Sequence, residues 1–207
     1  MVGSGGRREE ARLTHRQRQA LQTRRLIADA ARKLFLERGY AATTMEAIAG
    51  EAGVAVSTVY AIFKNKRAIL REIRMVWHEQ TRAREINQEA AEQPDPERRL
   101  EMVARASRRQ WELGGSLVAI YQGAAAADRE AAAELEEALR GRRAVLDRVV
   151  EGMKYVLRPD LEVDRAAAIL RALCQQETYR ELVVESGWSP EEYEAWLSAT
   201  LKRQLLA

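Results

Sequence analysis

The sequence predicts an all-α protein in which an N-terminal three-helix domain built around a helix-turn-helix precedes a larger helical domain. Three observations predict it. The 207 residues are 46% hydrophobic and 31% charged with only 4 Pro, a composition that favours packed helices over disorder. Apolar residues recur at spacings of three and four, and no stretch alternates convincingly enough to be a strand. Glycines and capping residues punctuate the chain at helix-length intervals.

Residues 1–13 are Gly, Ser, Arg and Glu without periodicity and read as a flexible basic arm. From Thr14 a first helix begins; Ile27, Ala30, Ala31, Leu34 and Phe35 form one apolar stripe that stops at Gly39, a residue suited to the left-handed C′ position. Thr43-Thr44-Met45-Glu46 has the spacing of a capping box and opens a second, short helix that Gly53 closes. A third, equally short helix runs from Val56 to Phe63. Longer helices are expected over 67–92, 97–113, 117–126, 128–157, 164–185 and 189–206. Asp95-Pro96 supplies an N-cap with proline at N1, Gly114-Gly115 breaks the chain, Pro159 sits in a loop, and Ser189-Pro190-Glu191-Glu192 is a second capping box. The expected divisions are 1–13 (arm), 14–66 (helix-turn-helix domain) and 67–207 (helical body).

Charge divides the same way. The net value is +3, but residues 1–67 hold 13 Lys/Arg against 6 Asp/Glu, and the remainder holds 21 against 25. A head of +7 on a body of −4 points to a polyanionic partner for the head alone. Cys174 is the only cysteine, which excludes an intrachain disulfide and a cysteine-based zinc cluster and fits a reducing, cytoplasmic setting. No apolar run approaches the roughly 20 residues needed to span a bilayer, and MVGSGGRREE lacks the apolar core of a signal peptide. No membrane partner is expected.

Met45 to Lys64 meets the geometric demands of a helix-turn-helix. Ala49 is small where two helices cross closely, Gly53 tolerates positive φ in the turn, and Ile48, Ala52, Val54, Val59 and Ile62 fix the second helix on the first. The other face of the second helix carries Ser57, Thr58, Tyr60 and Lys64, polar and small at its leading end, as entry into a groove about 12 Å wide requires.

Ala30, Leu34, Phe35, Gly39 and Tyr40, then Thr43 to Ala49, Ala52-Gly53-Val54, Ser57-Thr58-Val59-Tyr60, Phe63-Lys64-Asn65-Lys66 and Ile69-Leu70 together resemble the N-terminal domain of the tetracycline-repressor (TetR) family over roughly residues 20 to 73. The resemblance implies a one-component transcriptional repressor, a homodimer that binds palindromic operator DNA and is released by a small molecule, with residues 67–207 as ligand-binding and dimerisation domain. It places Val56, Ser57, Thr58 and Ala61 at base edges, and Thr43, Thr44, Tyr60, Lys64 and Lys66 at phosphates. Side-chain chemistry agrees: hydroxyls and ammonium groups bond phosphate oxygens, and Val or Ala methyls sense thymine methyls. Two departures stand out: Ala55 where the family often has Ser at the start of its recognition helix, and Ala61-Ile62 where an aromatic or His pair often precedes the Phe. Methyl-dominated readout is expected, with more weight on the basic stretch Arg7, Arg8, Arg12, Arg16 and Arg18, which either tracks phosphates or enters a minor groove, or else is a solvated tail.

In the body, Ile169, Leu170, Leu173, Leu182 and Val183, with Tyr193, Trp196, Leu197, Leu201 and Leu205, give the last two helices broad apolar faces. The resemblance makes these an intersubunit four-helix bundle; plain intrachain core is the other reading. Trp77, Met102, Arg105, Arg109, Tyr121, Gln122, Cys174, Gln175 and Tyr179 are the candidate ligand-binding residues, with His78, Trp111, Met153 and Tyr155 of similar character nearby in sequence. They mix apolar walls with a few polar anchors and suggest an aromatic or amphipathic effector, with Arg105 or Arg109 available to a carboxylate. Helix four, from Lys66 to Trp77, would carry ligand occupancy to the head. No cofactor, metal or catalytic residue is expected: with two histidines, no Glu-x-x-His pair, no assembled Ser/His/Asp set and no glycine-rich phosphate loop, a helical-bundle enzyme has little to work with. A ligand-independent architectural DNA-binding protein is the remaining alternative, disfavoured by the single helix-turn-helix and the acidic body.

Overall fold

The computed structural model describes residues 14–207; the arm expected over residues 1–13 lies outside them. Among the described residues there are ten α-helices and no strand: α1 His15–Arg38, α2 Met45–Ala52, α3 Val56–Ile62, α4 Lys66–Thr81, α5 Ala83–Glu92, α6 Pro96–Ala127, α7 Arg129–Glu151, α8 Val163–Leu173, α9 Gln176–Tyr179 and α10 Pro190–Leu205. A 3₁₀ turn, Lys154–Val156, follows α7, and a π-helical turn, Arg180–Glu185, continues α9. No single helix among them is long and apolar enough to cross a membrane.

The first helix starts at a capping box that the sequence reading passed over: the Thr14 hydroxyl accepts from the Gln17 amide at 3.3 Å, and the Gln17 side chain accepts from the Thr14 amide at 2.8 Å. It buries the expected stripe and ends at Gly39, whose φ of 81° is positive but whose ψ of 157° lies outside the left-handed helical well. The capping box expected at Thr43 is not formed. The cap of α2 is Thr44, whose hydroxyl accepts from the Ala47 amide at 3.1 Å, which puts Glu46 one position too early to reach back. Thr43 turns inward instead and donates to the Gly39 carbonyl at 2.8 Å, one of the acceptors left over where α1 stops.

Three expected boundaries are corrected. The helix expected over 67–92 is two helices, broken at Arg82, a non-glycine residue at φ 49°. The two glycines do not break the chain: α6 runs unbroken through Gly114 and Gly115 for 32 residues. The helix expected over 164–185 is interrupted at Cys174-Gln175. The Ser189 capping box with Glu192 and the Asp95 cap ahead of Pro96 are as expected.

Gly114 is there to make room. A Cβ at that position would lie 2.0 Å from Nε1 and 2.5 Å from Cε2 of Trp77, whereas one at Gly115 meets only the Gln176 amide nitrogen at 3.7 Å. Gly114→Ala is therefore expected to destabilise the protein by about 1–3 kcal/mol through overpacking. Gly115→Ala should instead gain up to about 1 kcal/mol of helix propensity. Thermal melts of the two variants check the opposite signs.

The apolar interior forms two clusters, and the first is not confined to residues 14–66. Buried residues of α1 to α4, among them Ile27, Leu34, Ile48, Val59 and Phe63, share one core with Leu117, Ile120, Tyr121 and Ala124 of α6 and Ala131 of α7. The second cluster joins α5, the front half of α6, α7, α8 and α10 around Leu100, Val149, Leu170, Tyr193 and Leu201. The long helix α6 thus belongs to both cores.

Candidate nucleic-acid interface

Short helices α2 and α3 cross at 107°, within the range of about 90–120° found in helix-turn-helix units. The turn between them works because Gly53 sits at φ 67° and ψ 31°, in the left-handed well, where its amide reaches back to the Ala49 and Gly50 carbonyls. Ala49 is fully buried at the crossing, and Val59 and Phe63 anchor α3 inward. Ion pairs brace the unit from behind, Lys33 to Glu51 and Arg24 to Glu72, both at 2.6 Å, tying α1 to α2 and α4.

Anchoring α3 by Val59 and Phe63 leaves its other face to solvent. Val56 is 37% and Tyr60 48% exposed, and Ser57, Ala61 and Lys64 are exposed beside them; Thr58 is half-buried, and Thr44 is exposed at the start of α2. Val56, Ser57, Tyr60 and Ala61 share one face of α3, and among the described residues no side-chain hydrogen bond holds Ser57, Tyr60 or Lys64 inward. Two of the nine expected DNA-contact residues are elsewhere. Thr43 is 1% exposed with its hydroxyl used internally. Lys66 donates to the Tyr40 carbonyl at 2.7 Å and the Ala41 carbonyl at 3.3 Å and lies 4.6 Å over the Tyr40 ring; burial lowers its pKa. Its ammonium holds the loop between α1 and α2 rather than reaching outward.

Behind this surface the head is fastened to the corner between α6 and α7, a junction that the sequence reading missed. Arg67 pairs with Asp128 at 3.6 Å, with Glu130, and with Glu134 at 3.9 Å, and the Tyr40 phenol lies close enough to Asp128 for each to shift the other's pKa. Arg71 also reaches Glu134, at 3.2 Å, and the buried Tyr121 hydroxyl donates to the Leu70 carbonyl. Burial, then Asp128, pushes the Tyr40 phenol up to about 12. Asp128 is also the N-cap of α7, and the Ala131 and Glu130 amides, together with Arg67 and Tyr40, hold its carboxyl below the ordinary range. A carboxyl whose pKa is depressed by folding contributes stability that is present above its unfolded value, near 4, and lost as pH falls through the folded value. The wild-type melting temperature should therefore fall more steeply below about pH 4 than that of Asp128→Asn; parallel slopes in melts at stepped pH would disprove this.

The candidate ligand residues do not converge. Tyr121 is in the first core, while Cys174 and Tyr179 are in the second, with Met102 half-buried against it. Gln122 and Gln175 are exposed, and Arg105 is an exposed partner of Glu194 at 3.7 Å. Arg109 is not available to a ligand carboxylate: its Nε donates to the Thr81 carbonyl at 2.6 Å and an Nη to Gln80 at 2.9 Å, capping the end of α4 at the Arg82 break. Trp77 packs on Gly114 with a buried indole N–H that has no acceptor. An open groove of about 400 Å³ between α7 and α8, edged by Asp147, Glu151, Asp164 and Arg171, includes none of them.

Of the expected dimer faces, Leu170, Tyr193, Leu197, Leu201 and Leu205 are consumed in the intrachain core, while Ile169, Leu173, Leu182, Val183 and Trp196 remain half-buried and Val184 is 67% exposed.

Residues 27–73 match the family described as bacterial regulatory proteins, tetR family. An uncharacterized HTH-type transcriptional regulator of Bacillus subtilis (strain 168), YhgD, is 38% identical over 77 residues, which are 37% of this chain and 38% of that protein. The matched segment thus spans little more than a third of the curated relative's length. Among solved structures, NalD of Pseudomonas aeruginosa, titled the secondary repressor of the MexAB-OprM multidrug efflux pump, superposes with a TM-score of 0.69 at 23% identity, over 91% of this chain and 98% of that one. The ketosteroid transcriptional regulator KstR2 of Mycobacterium tuberculosis gives 0.66 at 23% over 89% and 95%. FadR of Bacillus subtilis, solved with stearoyl-CoA, gives 0.63 at 21% over 86% and 97%. At these identities the structures establish a shared fold for head and body together.

Proposed function

We propose that this chain, whose DNA-binding head is of the tetR family, is a one-component repressor that binds palindromic operator DNA as a homodimer and is released by a small amphipathic molecule bound in the body. One observation carries the DNA reading: α3, held at 107° to α2, turns Val56, Ser57, Tyr60, Ala61 and Lys64 to solvent together while Val59 and Phe63 hold it from behind. Residues 14–66 serve as the reading head and 67–207 as the sensing and pairing body. Val56 and Ala61 present methyls to base edges, Ser57 and Thr58 present hydroxyls, and Thr44, Tyr60 and Lys64 bond phosphates.

A single head reads few base pairs, so two must act about one helical turn apart. The half-buried apolar residues left on α8, the turn after α9, and α10 are the surface through which a second copy would pair. Coupling runs by two routes: α4 leads from the head to Trp77, and the Tyr40, Arg67 and Asp128 cluster grips the corner at which α6 ends. A shift of α6 in the body moves both, and the spacing of the two heads with them. Nuclease footprinting on the DNA upstream of the gene, with sedimentation equilibrium of the free protein, tests the proposal. The expected result is one protected palindrome and a dimer; a monomer, or protection without a discrete site, would refute it.

A further inference from the structure

We infer that Arg142 is the anion-reading residue of the effector site and that the effector class is an amphipathic carboxylate, a proposal that rests on the ligand-release reading above. Three arginines of α6 and α7 reach the C-terminal carbonyls of other helices. Arg99 and Arg109 do so with Nε and an Nη together, on Gln93 and on Thr81 and Gln80. Arg142 spends only one Nη, on the Cys174 carbonyl at 2.6 Å, and its Nε is buried with no acceptor. That carbonyl is already shared, since the Trp111 indole donates to it at 3.1 Å.

Nothing nearby neutralises the charge. Among the described residues no carboxylate lies within ion-pair distance of Arg142; Glu177, on α9, acts on it only from farther away. The adjoining Cys174 thiol and Tyr193 phenol are neutral, both pushed upward by burial, and the Tyr193 hydroxyl is engaged with Ser107 at 3.0 Å. The end of α8 offers only about half a charge. A guanidinium with one buried donor unmade and no counter-charge is a fork lacking its second acceptor.

The surroundings fit a carboxylate with an apolar body. The guanidinium lies 5.1 Å over the ring of Trp111, itself buried in the second core, so an apolar tail entering beside Arg142 would join that core. Arg142 is half-buried as a residue while its Nε is closed to solvent, so a carboxylate reaches Nε only by parting the side chains that cover it. A carboxylate on Nε competes with the Cys174 carbonyl for Arg142. It would loosen the break between α8 and α9, next to the surface assigned above to dimer pairing.

The test is calorimetric titration of the full-length protein with sodium decanoate and sodium benzoate at constant ionic strength, with 1-decanol as the uncharged comparison. At least one acid should bind wild type, and at least tenfold more weakly to Arg142→Met, the loss expected for a charge-assisted hydrogen bond; Arg140→Met, which removes an exposed arginine of the same helix, should bind like wild type. Arg142→Lys, which keeps the charge without the fork, guards against misfolding of the Met variant and should also bind more weakly. If neither acid binds, or if all variants bind equally, the inference is overturned. Operator gel shifts separate the two readings. Arg142-dependent binding that leaves operator affinity unchanged upholds the site and refutes ligand release, whereas intact operator binding without acid binding refutes the site alone.

Discussion

Ala61→Glu is expected to lower operator affinity at least a hundredfold while leaving the melting temperature within a few degrees of wild type. Ala61 is exposed on α3 and one turn beyond Ser57, so a longer side chain meets nothing inside the protein. In a helix, Ala to Glu costs only a few tenths of a kcal/mol. Against DNA the same change loses a methyl contact and, above all, adds like-charge juxtaposition that costs several kcal/mol. Val59→Ala on the opposite face is the control, because Val59 is fully buried. It should cost about 1–3 kcal/mol of stability and weaken binding only as far as it unfolds the head. Gel shifts and melts of both variants measure the contrast. Normal operator binding by Ala61→Glu would remove α3 from the interface.

A large loss of stability from a single polar side chain is expected at Arg99. It is 4% exposed, and its guanidinium donates through Nε at 2.9 Å to the Gln93 carbonyl beyond α5, and through Nη1 at 2.9 Å to the Val149 carbonyl near the end of α7. Gly152 has no side chain because a Cβ there would stand 2.0 Å from that same Nη1. Hydrogen bonds to a charged group contribute about 1.5–3 kcal/mol each, and Arg99→Ala strands two carbonyls as well as leaving a void. A loss of about 4 kcal/mol follows, a fall of roughly 10 °C at about 2–4 °C per kcal/mol for a chain of this length. Arg99→Lys should recover less than half, since one ammonium cannot span both carbonyls. A melting temperature for Arg99→Ala within 2–3 °C of wild type would contradict this account.

Helix α3 and its outward residues were legible in the sequence because one short segment carried several independent demands at once: a small residue at the crossing, a glycine in the turn, apolar residues inward and polar ones outward. The breaks in the body were not. Arg82 has no local mark of a helix end; the break there is held by Arg109, 27 residues further along the chain, capping the carbonyls it frees. Gly114 carries the mark of a break and makes none, since the missing side chain is space for Trp77 rather than freedom for the backbone. Two adjacent threonines made the cap of α2 ambiguous by one residue, and only the carbonyls at the end of α1 decide which turns inward. The candidate ligand residues misled because aromatic, sulfur and amide side chains fill cores as readily as they line cavities. Arg142 escaped notice for a related reason: an arginine lacking a counter-charge is visible only when its neighbours are known.

The shared interior of head and corner bears on how such proteins can be recombined. Leu117, Ile120, Tyr121 and Ala124 share one core with Ile69, Leu70 and Ile73, so no cut at one peptide bond releases the N-terminal helices with a filled interior. A piece ending at Thr81 would show those side chains to water and refold poorly by itself. Chimaeras that transplant this head onto another body will need to carry the matching stretch of α6 and the start of α7 as a second, distant graft.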